Sequence, residues 1–372
     1  MTNVLAISYA KRLLVPGSRE RIRAERYAQS LGYYVVIVFT HKDEGHESVQ
    51  QVGNMTLYAT NSSNKLAMLA RAFKLGRLVL QAVPEEQFTI SSQDPFESAM
   101  IGRLLAAGTH HRHQIQVHGD VFGRNSQRRS LLQRVRVVYG KRVIQHADRI
   151  RVVSKRIKDS LVTLGVDQSK VVVLPIMAEL ESFLQIGKRR LADVSEADAS
   201  SPLRLLWVGR IESEKNISLL LRTCTALRDK QVSFTLRIVG DGAEKVAMQR
   251  LAVELGIQEF VTFIGWQEDL TAEFEQAQVY CLTSVHEGWA LVLQEAAAAG
   301  LAIVTTDVGC VGEILLSDQH VLVAASVSEY TDSVMSFLDV DKRNLLAKRA
   351  HERVLSTVIT EEEYIDAWAA TH

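Results

Sequence analysis

The stretch VYCLTSVHEGWALVLQEAAAAGLAIVT, residues 279–305, contains the clearest fold signal in the chain. Its apolar run Val279–Leu282 is typical of a strand that is buried on both faces. A helix is predicted over Trp289–Ala299, and a second strand over Leu301–Thr305. Strand, helix and strand in succession predict a βαβ unit, and therefore a parallel sheet.

The same alternation of strands and helices extends to both sides of this unit. In the first half, strands are predicted at Val4–Tyr9, Tyr33–Phe39, Met55–Ala59, Phe88–Ser92, Ile115–His118, Ile150–Val153 and Val171–Leu174. In the second half, the remaining strands are predicted at Arg204–Val208, Phe234–Val239, Phe260–Ile264 and Val321–Val323. Two such series predict an α/β protein with two doubly wound, Rossmann-like domains that face each other across a cleft.

A change in pattern divides the chain. The segment Leu184–Pro202 is polar and lacks a hydrophobic period, so we expect a loop or a domain connection there. The predicted organisation is a first domain over residues 1–184, a linker over 185–202, a second domain over 203–357 and a C-terminal helical segment over 358–372.

The composition is that of a globular protein. The 372 residues include 43 basic and 43 acidic side chains, and 47% are hydrophobic, which excludes a disordered chain, a collagen and a coiled coil. Residues 1–200 carry a net charge of +11 and residues 201–372 a net charge of −11, which suggests different partners for the two halves. The cysteines are isolated, and neither a membrane-spanning run nor a signal peptide is evident, so we expect a cytoplasmic location and no zinc module.

The turn after the strand Val279–Leu282 holds the strongest candidate binding residues. Glu287 and Gly288 precede the predicted helix, and Glu295 lies two turns inside it. The start of a helix offers backbone N–H groups to an anion, and a carboxylate such as Glu295 can accept hydrogen bonds from ribose hydroxyls. The alternative is a pair of solvated glutamates on an alanine-rich helix.

A second turn follows the strand Arg204–Val208. Gly209 ends the strand, Arg210 comes next, and Lys215 precedes the following helix. Two cations in such a loop can hold a diphosphate without a metal ion. In the alternative, the neighbouring glutamates, Glu212 and Glu214, simply pair with these cations.

Two glycine turns are weaker signals. Gly240-Asp241-Gly242 is common in nucleotide-binding folds, but it is not the GxGxxG of dinucleotide-binding proteins, because Lys245 stands at the position of the third glycine. Near the N-terminus, Gly17 precedes Ser18, which can cap the next helix.

The first half offers three candidate polar residues at strand ends. His118 ends one predicted strand and Asp120 follows it, and Asp94 follows the strand before it. A neutral imidazole at such an edge can hydrogen-bond a sugar hydroxyl or a phosphate oxygen. A capping or turn role is the alternative for each of these residues, and it is favoured for Asp94 because Pro95 follows it.

Two metal-like patterns are expected to be structural. His110, His111 and His113 have no acidic or cysteine companion. The DxD sequence Asp339–Asp341 falls between two predicted helices, far from any strand end, where a helix cap is expected.

Together these segments resemble the family-4 retaining glycosyltransferases, which have the two-domain GT-B fold, over nearly the whole chain. The similarity is strongest in the second half, where four features agree in order and spacing: Glu287 and Glu295, Gly209-Arg210 with Lys215, Gly240–Gly242, and Gly265 after the next strand. The first half is similar to a subgroup that mostly builds bacterial surface polysaccharides, through Gln93–Glu97, Val117–Asp120 and Arg151–Ser154.

The resemblance implies a retaining hexosyltransferase that needs no metal or other cofactor. Its donor would be a UDP- or GDP-sugar, and its acceptor a glycan or a lipid-linked sugar. Arg210 and Lys215 would neutralise the leaving diphosphate, and Glu295 would hold the ribose. Glu287 and the backbone of Gly288–Leu291 would hold the sugar and its phosphate.

The remaining roles also come from the resemblance, as does the expectation that the C-terminal helix Glu361–Ala370 crosses back onto the first domain. His118 would face the donor sugar from the other domain, and Asp94 and Asp120 would lie on the acceptor side. The nucleobase would lie near Gly240, Gly242, Gly265 and Trp266. The donor site would be completed by Gly17, Trp289, Ala290 and Leu291. Trp289-Ala290 departs from the Phe-Pro or Phe-Gly of many members, and Gly17-Ser18 departs from their double glycine.

The segment Arg124–Lys158 is strongly basic, and Asp148 is its only acidic residue. Its predicted helix, Ser126–His146, either packs on the core with a solvated basic face or attaches the protein to an anionic surface at the inner face of the cytoplasmic membrane. No recognition module accompanies it, so nucleic-acid binding is not expected.

Two other functions stay open at this stage. One is a nucleotide-sugar 2-epimerase with the same fold, and the other is a non-catalytic protein that binds nucleotide sugars. A dinucleotide oxidoreductase is disfavoured because no GxGxxG follows the first strand.

Overall fold

The computed structural model describes residues 1–119, 122, 131–192 and 202–372, with only the backbone of residues 131–133. It contains two compact units. The first comprises Met1–Pro175 and Ile359–His372, and the second comprises Ile176–Val358. The change of unit therefore falls after Pro175, earlier than the predicted end of the first domain at residue 184.

The first unit is built on an eight-stranded sheet in the order β3-β4-β2-β1-β5-β6-β7-β8. Neighbouring strands are parallel except for β3 and β4, which form an antiparallel pair at one edge. Strands β1, β2 and β5 are buried along their whole length, as is typical of a covered parallel sheet. The strands are β1 (Asn3–Ser8), β2 (Tyr34–Val38), β3 (Val49–Val52), β4 (Met55–Ala59), β5 (Phe88–Ser92), β6 (Arg112–Val117), β7 (Arg149–Val152) and β8 (Val171–Val173).

Side-chain caps define where several helices of this unit begin. Ser18, Asn64, Ser154 and Thr360 each accept a hydrogen bond from a backbone N–H in the first turn, which satisfies one of the unpaired donors there. The predicted cap by Ser18 is thereby confirmed. The helices are α1 (Arg19–Gln29), α2 (Lys65–Ala82), α3 (Glu97–Ala106), α4 (Leu131–Gln145), α5 (Lys155–Thr163) and α13 (Glu361–Ala370).

Helix α13 is tied to the first unit by buried polar contacts. The guanidinium of Arg151 donates to the Tyr364 hydroxyl at 2.8 Å, and the Gln114 amide donates to the carbonyl of Thr371 at 2.6 Å. The hydroxyl of Thr89 donates to the carbonyl of His372 at 2.9 Å. The last residues of the chain thus satisfy polar side chains of strands β5, β6 and β7.

The second unit is built on a six-stranded, fully parallel sheet in the order β11-β10-β9-β12-β13-β14. Its core lies around buried side chains of β9 and β10, such as Trp207, Phe234 and Ile238. The strands are β9 (Leu203–Val208), β10 (Phe234–Val239), β11 (Val261–Gly265), β12 (Val279–Leu282), β13 (Ala302–Thr305) and β14 (Leu322–Val323). The helices are α6 (Glu181–Ala192), α7 (Ile217–Asp229), α8 (Lys245–Glu254), α9 (Thr271–Gln276), α10 (Leu291–Ala298), α11 (Val327–Ser336) and α12 (Val340–Leu355).

Helix α6 contradicts the loop predicted from residue 184 onward. Its buried side chains Phe183 and Ile186 and the close-packed Gly187 form one stripe that packs within the second unit. A Cβ atom on Gly187 would lie 2.1 Å from the carbonyl oxygen of Ala298, so only glycine permits this approach. Residues 193–201 of the predicted linker lie outside the described residues.

The predicted α/β architecture, with two doubly wound sheets, is confirmed. Among the described residues, no helix combines the length and the hydropathy that crossing a membrane requires.

Candidate active site

The second sheet has a topological switch point between β9 and β12. From β9 the chain builds β10 and β11 on one side, and it then adds β12, β13 and β14 on the other. Loops at the carboxyl ends of the two central strands diverge at such a point and leave a crevice, where doubly wound sheets bind ligands. The two strongest sequence motifs lie in these two loops, because Gly209 and Arg210 follow β9 and Glu287 follows β12.

Lys215 and Glu287 connect the two loops. The Nζ atom of Lys215 lies 2.5 Å from Oε1 of Glu287, and the hydroxyl of Ser284 donates to the same oxygen at 2.7 Å. The side chains of Lys215 and Glu287 are only 15% and 13% exposed. Within the described part of the chain, both of these contacts fall on Oε1, which leaves Oε2 as an acceptor for a ligand.

Backbone contacts hold the same two loops together. The N–H of Val285 donates to the carbonyl of Glu214 at 2.8 Å, and the hydroxyl of Thr283 donates to the carbonyl of Lys215 at 2.9 Å. The ammonium and the carboxylate therefore stand on a fixed frame, so their position does not depend on the ion pair alone.

Arg210 is held much more loosely. Its guanidinium reaches Glu214 at 3.3 Å, and both side chains are exposed. An exposed pair of this kind contributes roughly 0.2–1 kcal/mol, so an incoming anion can displace it. Arg210 thus pairs with an acidic residue of its own loop, as the alternative interpretation expected. Lys215 does not, because it pairs with Glu287 across the crevice. Glu212 accepts a hydrogen bond from the backbone N–H of Ala243 at 3.3 Å.

The glycine turn after β10 is set by contact with the loop after β9. Gly240 has φ +137°, and a Cβ atom there would lie 1.8 Å from the carbonyl oxygen of Gly209. At Gly242 a Cβ atom would lie 2.4 Å from the carbonyl oxygen of Ile211. Both positions need glycine because the two backbones touch, and this brings the third motif beside the first two.

Gly265 ends β11, the next strand along the sheet, and Trp266 follows it. Gly265 has a left-handed φ of +88°. The indole of Trp266 is 63% exposed, and an exposed aromatic ring of this size offers a stacking surface. Lys245, whose ammonium lies beside Gly265, pairs with Asp241 at 2.8 Å. The hydrogen bonds from Lys245 and from the backbone N–H of Gly242 lower the pKa of Asp241.

The turn before α10 departs from its predicted form. The helix begins at Leu291 and not at Trp289, so Glu295 lies about one turn inside it, and Ala290 adopts a left-handed φ of +59°. The side chain of Trp289 is buried, and its indole N–H donates to the amide of Gln294 at 2.9 Å. Gly288, Leu291 and Glu295 are partly exposed at this turn and in the helix after it.

In the first unit, His118 follows β6. Desolvation lowers the pKa of His118 to about 4, and the positive charges of Arg151 and Arg23 act in the same direction. The side chain of His118 is nevertheless exposed, so its desolvation is smaller than that of a buried histidine. The imidazole is neutral at pH 7 in either case, because even an unperturbed histidine titrates near 6.5.

The other predicted residues of the first unit have mixed outcomes. Asp94 forms a turn, with one carboxylate oxygen accepting from the backbone N–H of Phe96 and the other from the hydroxyl of Ser98, each at 2.7 Å. Burial raises the pKa of Asp94 against these hydrogen bonds. Gly17 lies in an exposed turn with φ +77°, and Asp120 lies outside the described residues.

The metal-like patterns make ordinary structural contacts. His113 is buried, lies 3.0 Å from the Ser92 hydroxyl, and has a pKa lowered to about 4, first by desolvation. Asp339 accepts from the backbone N–H of Lys342 and caps α12, as predicted. Over the described ranges, no cluster of three or more His, Cys, Asp or Glu residues is arranged to hold a metal ion.

No role was predicted for Ser284, although its hydroxyl donates to Glu287 and orients the carboxylate. Its spacing of three residues from Glu287 was the available signal.

Comparisons with known proteins agree with this architecture. Residues 190–353 match the family described as "Glycosyl transferases group 1", and residues 23–176 match the "Glycosyl transferase 4-like domain". A Campylobacter jejuni enzyme, N-acetylgalactosamine-N,N'-diacetylbacillosaminyl-diphospho-undecaprenol 4-alpha-N-acetylgalactosaminyltransferase, is 30% identical over 151 residues, which cover 41% of this chain and 39% of the relative. The chain spans about half, or less, of the length of the curated relatives it matches first.

Solved structures cover the chain more completely. Sucrose-phosphate synthase from Thermosynechococcus elongatus has a TM-score of 0.78 at 18% identity, covering 100% of this chain and 98% of that one. Anabaena HepE in complex with UDP-glucose has a TM-score of 0.72 at 14% identity, covering 100% of both chains. Fold and sequence matches agree: the chain has the two-domain GT-B fold, with a match to the glycosyl transferase 4-like domain in its first unit and to glycosyl transferases group 1 in its second.

Proposed function

We propose that this protein is a retaining hexosyltransferase, which moves a sugar from a nucleoside-diphosphate sugar to a glycan or a lipid-linked acceptor. The observation that carries the proposal is the Lys215–Glu287 pair, which joins the two loops at the switch point of the second sheet. A cation and a carboxylate fixed side by side suit a ligand that carries phosphate and sugar hydroxyls next to each other.

The leaving diphosphate would be neutralised by Arg210 and Lys215. Lys215 is pre-positioned by Glu287, whereas Arg210 is exposed and weakly held by Glu214, so its planar fork can turn toward phosphate oxygens. Charge that develops on the leaving group is stabilised by such donors in the way that a metal ion stabilises it elsewhere. The proposed reaction therefore needs no metal.

The sugar and the nucleoside would be held by neighbouring groups. Oε2 of Glu287 can accept a sugar hydroxyl while Oε1 stays with Lys215 and Ser284. Glu295 in the first turns of α10 would hold the ribose, and the exposed face of Trp266 would stack on the base. Anabaena HepE was solved with UDP-glucose, which supports a UDP-sugar as the first donor to test.

His118 would stabilise charge on the transferring sugar and would not form a covalent bond. Its imidazole is neutral at pH 7, so it can donate one hydrogen bond and accept another. Retention of the anomeric configuration would then rest on same-face assistance by the leaving phosphate, with the acceptor near Asp94.

The setting would be bacterial surface-polysaccharide synthesis at the inner face of the cytoplasmic membrane. The Campylobacter jejuni relative's name describes a diphospho-undecaprenol sugar, which supports a lipid-linked acceptor over a free glycan. Of the basic segment proposed to attach to the membrane, α4 exposes Arg134, Arg136 and Arg142, while Arg124, Arg128 and Arg129 lie outside the described residues.

Product analysis tests the proposal against its alternatives. The protein is incubated with radiolabelled UDP- and GDP-sugars, with and without a membrane lipid extract, and the products are separated. A labelled glycan or glycolipid together with free nucleoside diphosphate supports a transferase. An isomerised nucleotide sugar would indicate a 2-epimerase, and thermal stabilisation by the donor without turnover would indicate a binding protein.

A further inference from the structure

A groove of about 910 Å³ opens on the first unit. It lies among α2, α3 and α4 and the residues that follow β1. Its apolar lining includes Leu66 and Leu69 from α2, Met100 from α3 and Val135 from α4. The volume is within the range of roughly 300–1,000 Å³ that is typical of ligand sites.

The groove adjoins the switch point of the first sheet. The chain passes from β1 to β2 and β4 on one side, and β5 pairs with β1 on the other. Tyr9 follows β1 and lines the groove, and Phe96 follows β5 and lines it as well. Burial, followed by the negative charges of Glu97 and Asp94, raises the pKa of Tyr9 to about 12. Asp94, the carboxylate proposed on the acceptor side, is therefore close to Tyr9 and to the groove.

Charged groups stand at the polar part of the groove. Glu97 is 12% exposed and accepts from Lys65 at 2.5 Å and from Arg136 at 2.6 Å. The guanidinium of Arg136 also lies 4.1 Å from the centre of the Phe96 ring. Burial alone would raise the pKa of Glu97, but the bonds from Arg136 and Lys65 outweigh it and lower the pKa.

The helices around the groove are strongly basic. Helices α2, α3 and α4 contain nine lysines and arginines and one acidic residue, Glu97, so their net charge is +8. The same surface exposes large apolar side chains beside these cations, among them Leu66, Val135 and Tyr139. Of these cations, Lys65 and Arg136 line the groove. An apolar groove with cations at one end, on a basic surface, is complementary to an amphiphile with a hydrocarbon chain and an anionic head.

We propose that this groove binds the hydrocarbon chain of a lipid phosphate or diphosphate, whose head is held by Lys65 and Arg136 next to Tyr9 and Asp94. The inference rests on the proposed function in that it identifies the acceptor as a lipid-linked sugar. The lipid chain lies along α2 and α4, and the headgroup sits at the strand ends where the sugar must be presented.

A matched pair of substitutions on α4 tests the groove. Val135 lines it and is 62% exposed, whereas Val138 on the same helix is 56% exposed and does not line it. Farnesyl phosphate at monomeric concentrations is titrated calorimetrically into the wild type, Val135→Glu and Val138→Glu, after thermal melts confirm that the variants are folded. We expect affinity to fall at least tenfold in Val135→Glu and to stay within twofold in Val138→Glu.

Two further probes separate the chain from the head. Farnesol should bind more weakly than farnesyl phosphate, and inorganic phosphate should give no measurable heat. Lys65→Gln should weaken farnesyl phosphate and leave farnesol unchanged. No binding of farnesyl phosphate to the wild type, or equal losses in both valine variants, would overturn the proposal.

Two control measurements keep this test apart from the proposed function and from membrane adsorption. In the first control, binding of UDP and of GDP is measured in the same variants. If neither nucleotide binds, the proposed donor site is contradicted, whereas binding of farnesyl phosphate would still support the groove. In the second control, the protein is sedimented with phosphatidylglycerol vesicles. If both valine variants bind the vesicles equally less than the wild type, and farnesyl phosphate does not bind, the surface faces a membrane and the groove proposal is refuted.

Discussion

Replacing Lys215 by methionine separates the structural and chemical roles of the Lys215–Glu287 pair. At 2.5 Å and an effective dielectric constant of about 20, the attraction is on the order of 6–7 kcal/mol before desolvation offsets most of it. Removing one partner leaves a carboxylate that is nearly buried, although Ser284 still donates to it. We therefore expect a loss of about 1–2 kcal/mol in the free energy of unfolding, or about 2–8 °C in Tm.

The same substitution should lower kcat/KM by about a hundredfold or more, because a charge contact to the leaving group is lost. Adding Glu287→Gln should restore most of the stability, since no unpaired charge remains, but none of the activity. Thermal melts and initial rates are measured on both single variants and the double variant. Lys348→Met is the matched control, because its pair with Glu352 spans 3.9 Å and both side chains are exposed.

Two results would refute this account. Additive stability losses in the double variant would show that the two side chains are not coupled. Activity of Lys215→Met within threefold of the wild type would remove Lys215 from the diphosphate site.

Three further predictions concern metal, stereochemistry and pH. Activity should survive EDTA, because Arg210 and Lys215 supply the charge; full loss that Mg²⁺ or Mn²⁺ restores would contradict this. An NMR time course should show a product with the anomeric configuration of the donor, and an inverted anomer would rule out the proposed mechanism. Burial lowers the pKa of His113 to about 4, so on acidification the unfolded chain binds a proton at this histidine before the folded chain does. The contribution of His113 to the free energy of unfolding is complete above pH 6.5 and should fall by about 1.4 kcal/mol per pH unit between pH 6.5 and 4. Urea unfolding at pH 7 and pH 5 should show a smaller loss in His113→Gln, and equal losses would exclude His113 as the cause.

Sequence predicted the buried parallel strands well, because they are continuous apolar runs between turn signals. The predicted strands Met55–Ala59, Phe88–Ser92, Phe234–Val239 and Val279–Leu282 agree with the structure to the residue. Strand β3 was missed because its sequence, VQQV, is short and half polar, and because an edge strand needs little burial. Helix α6 was missed because a Lys-Arg run hid the stripe of Phe183 and Ile186.

The candidate site was predicted as separate motifs and not as an arrangement. Spacing alone indicated that Lys215 and Glu287 lie at strand ends, but only the strand order shows that those strands are neighbours. The groove had no sequence signal, because Tyr9, Phe96-Glu97 and Arg136 come from three separate segments. Arg136 in particular was counted as one cation of a basic run, whereas it is bonded to Glu97 on another helix.

The tie between α13 and the first sheet has a consequence for biosynthesis. Ile359–His372 belong to the first unit but leave the ribosome after the whole of Ile176–Val358. At typical translation speeds that interval lasts on the order of ten seconds or longer, which exceeds the folding time of most domains. Until then Arg151 has no Tyr364 hydroxyl and Gln114 has no Thr371 carbonyl, so the unit that is synthesised first is the last to be completed. The second unit can therefore fold on the nascent chain before the polar side chains of β5, β6 and β7 in the first unit receive their partners from the C-terminal residues.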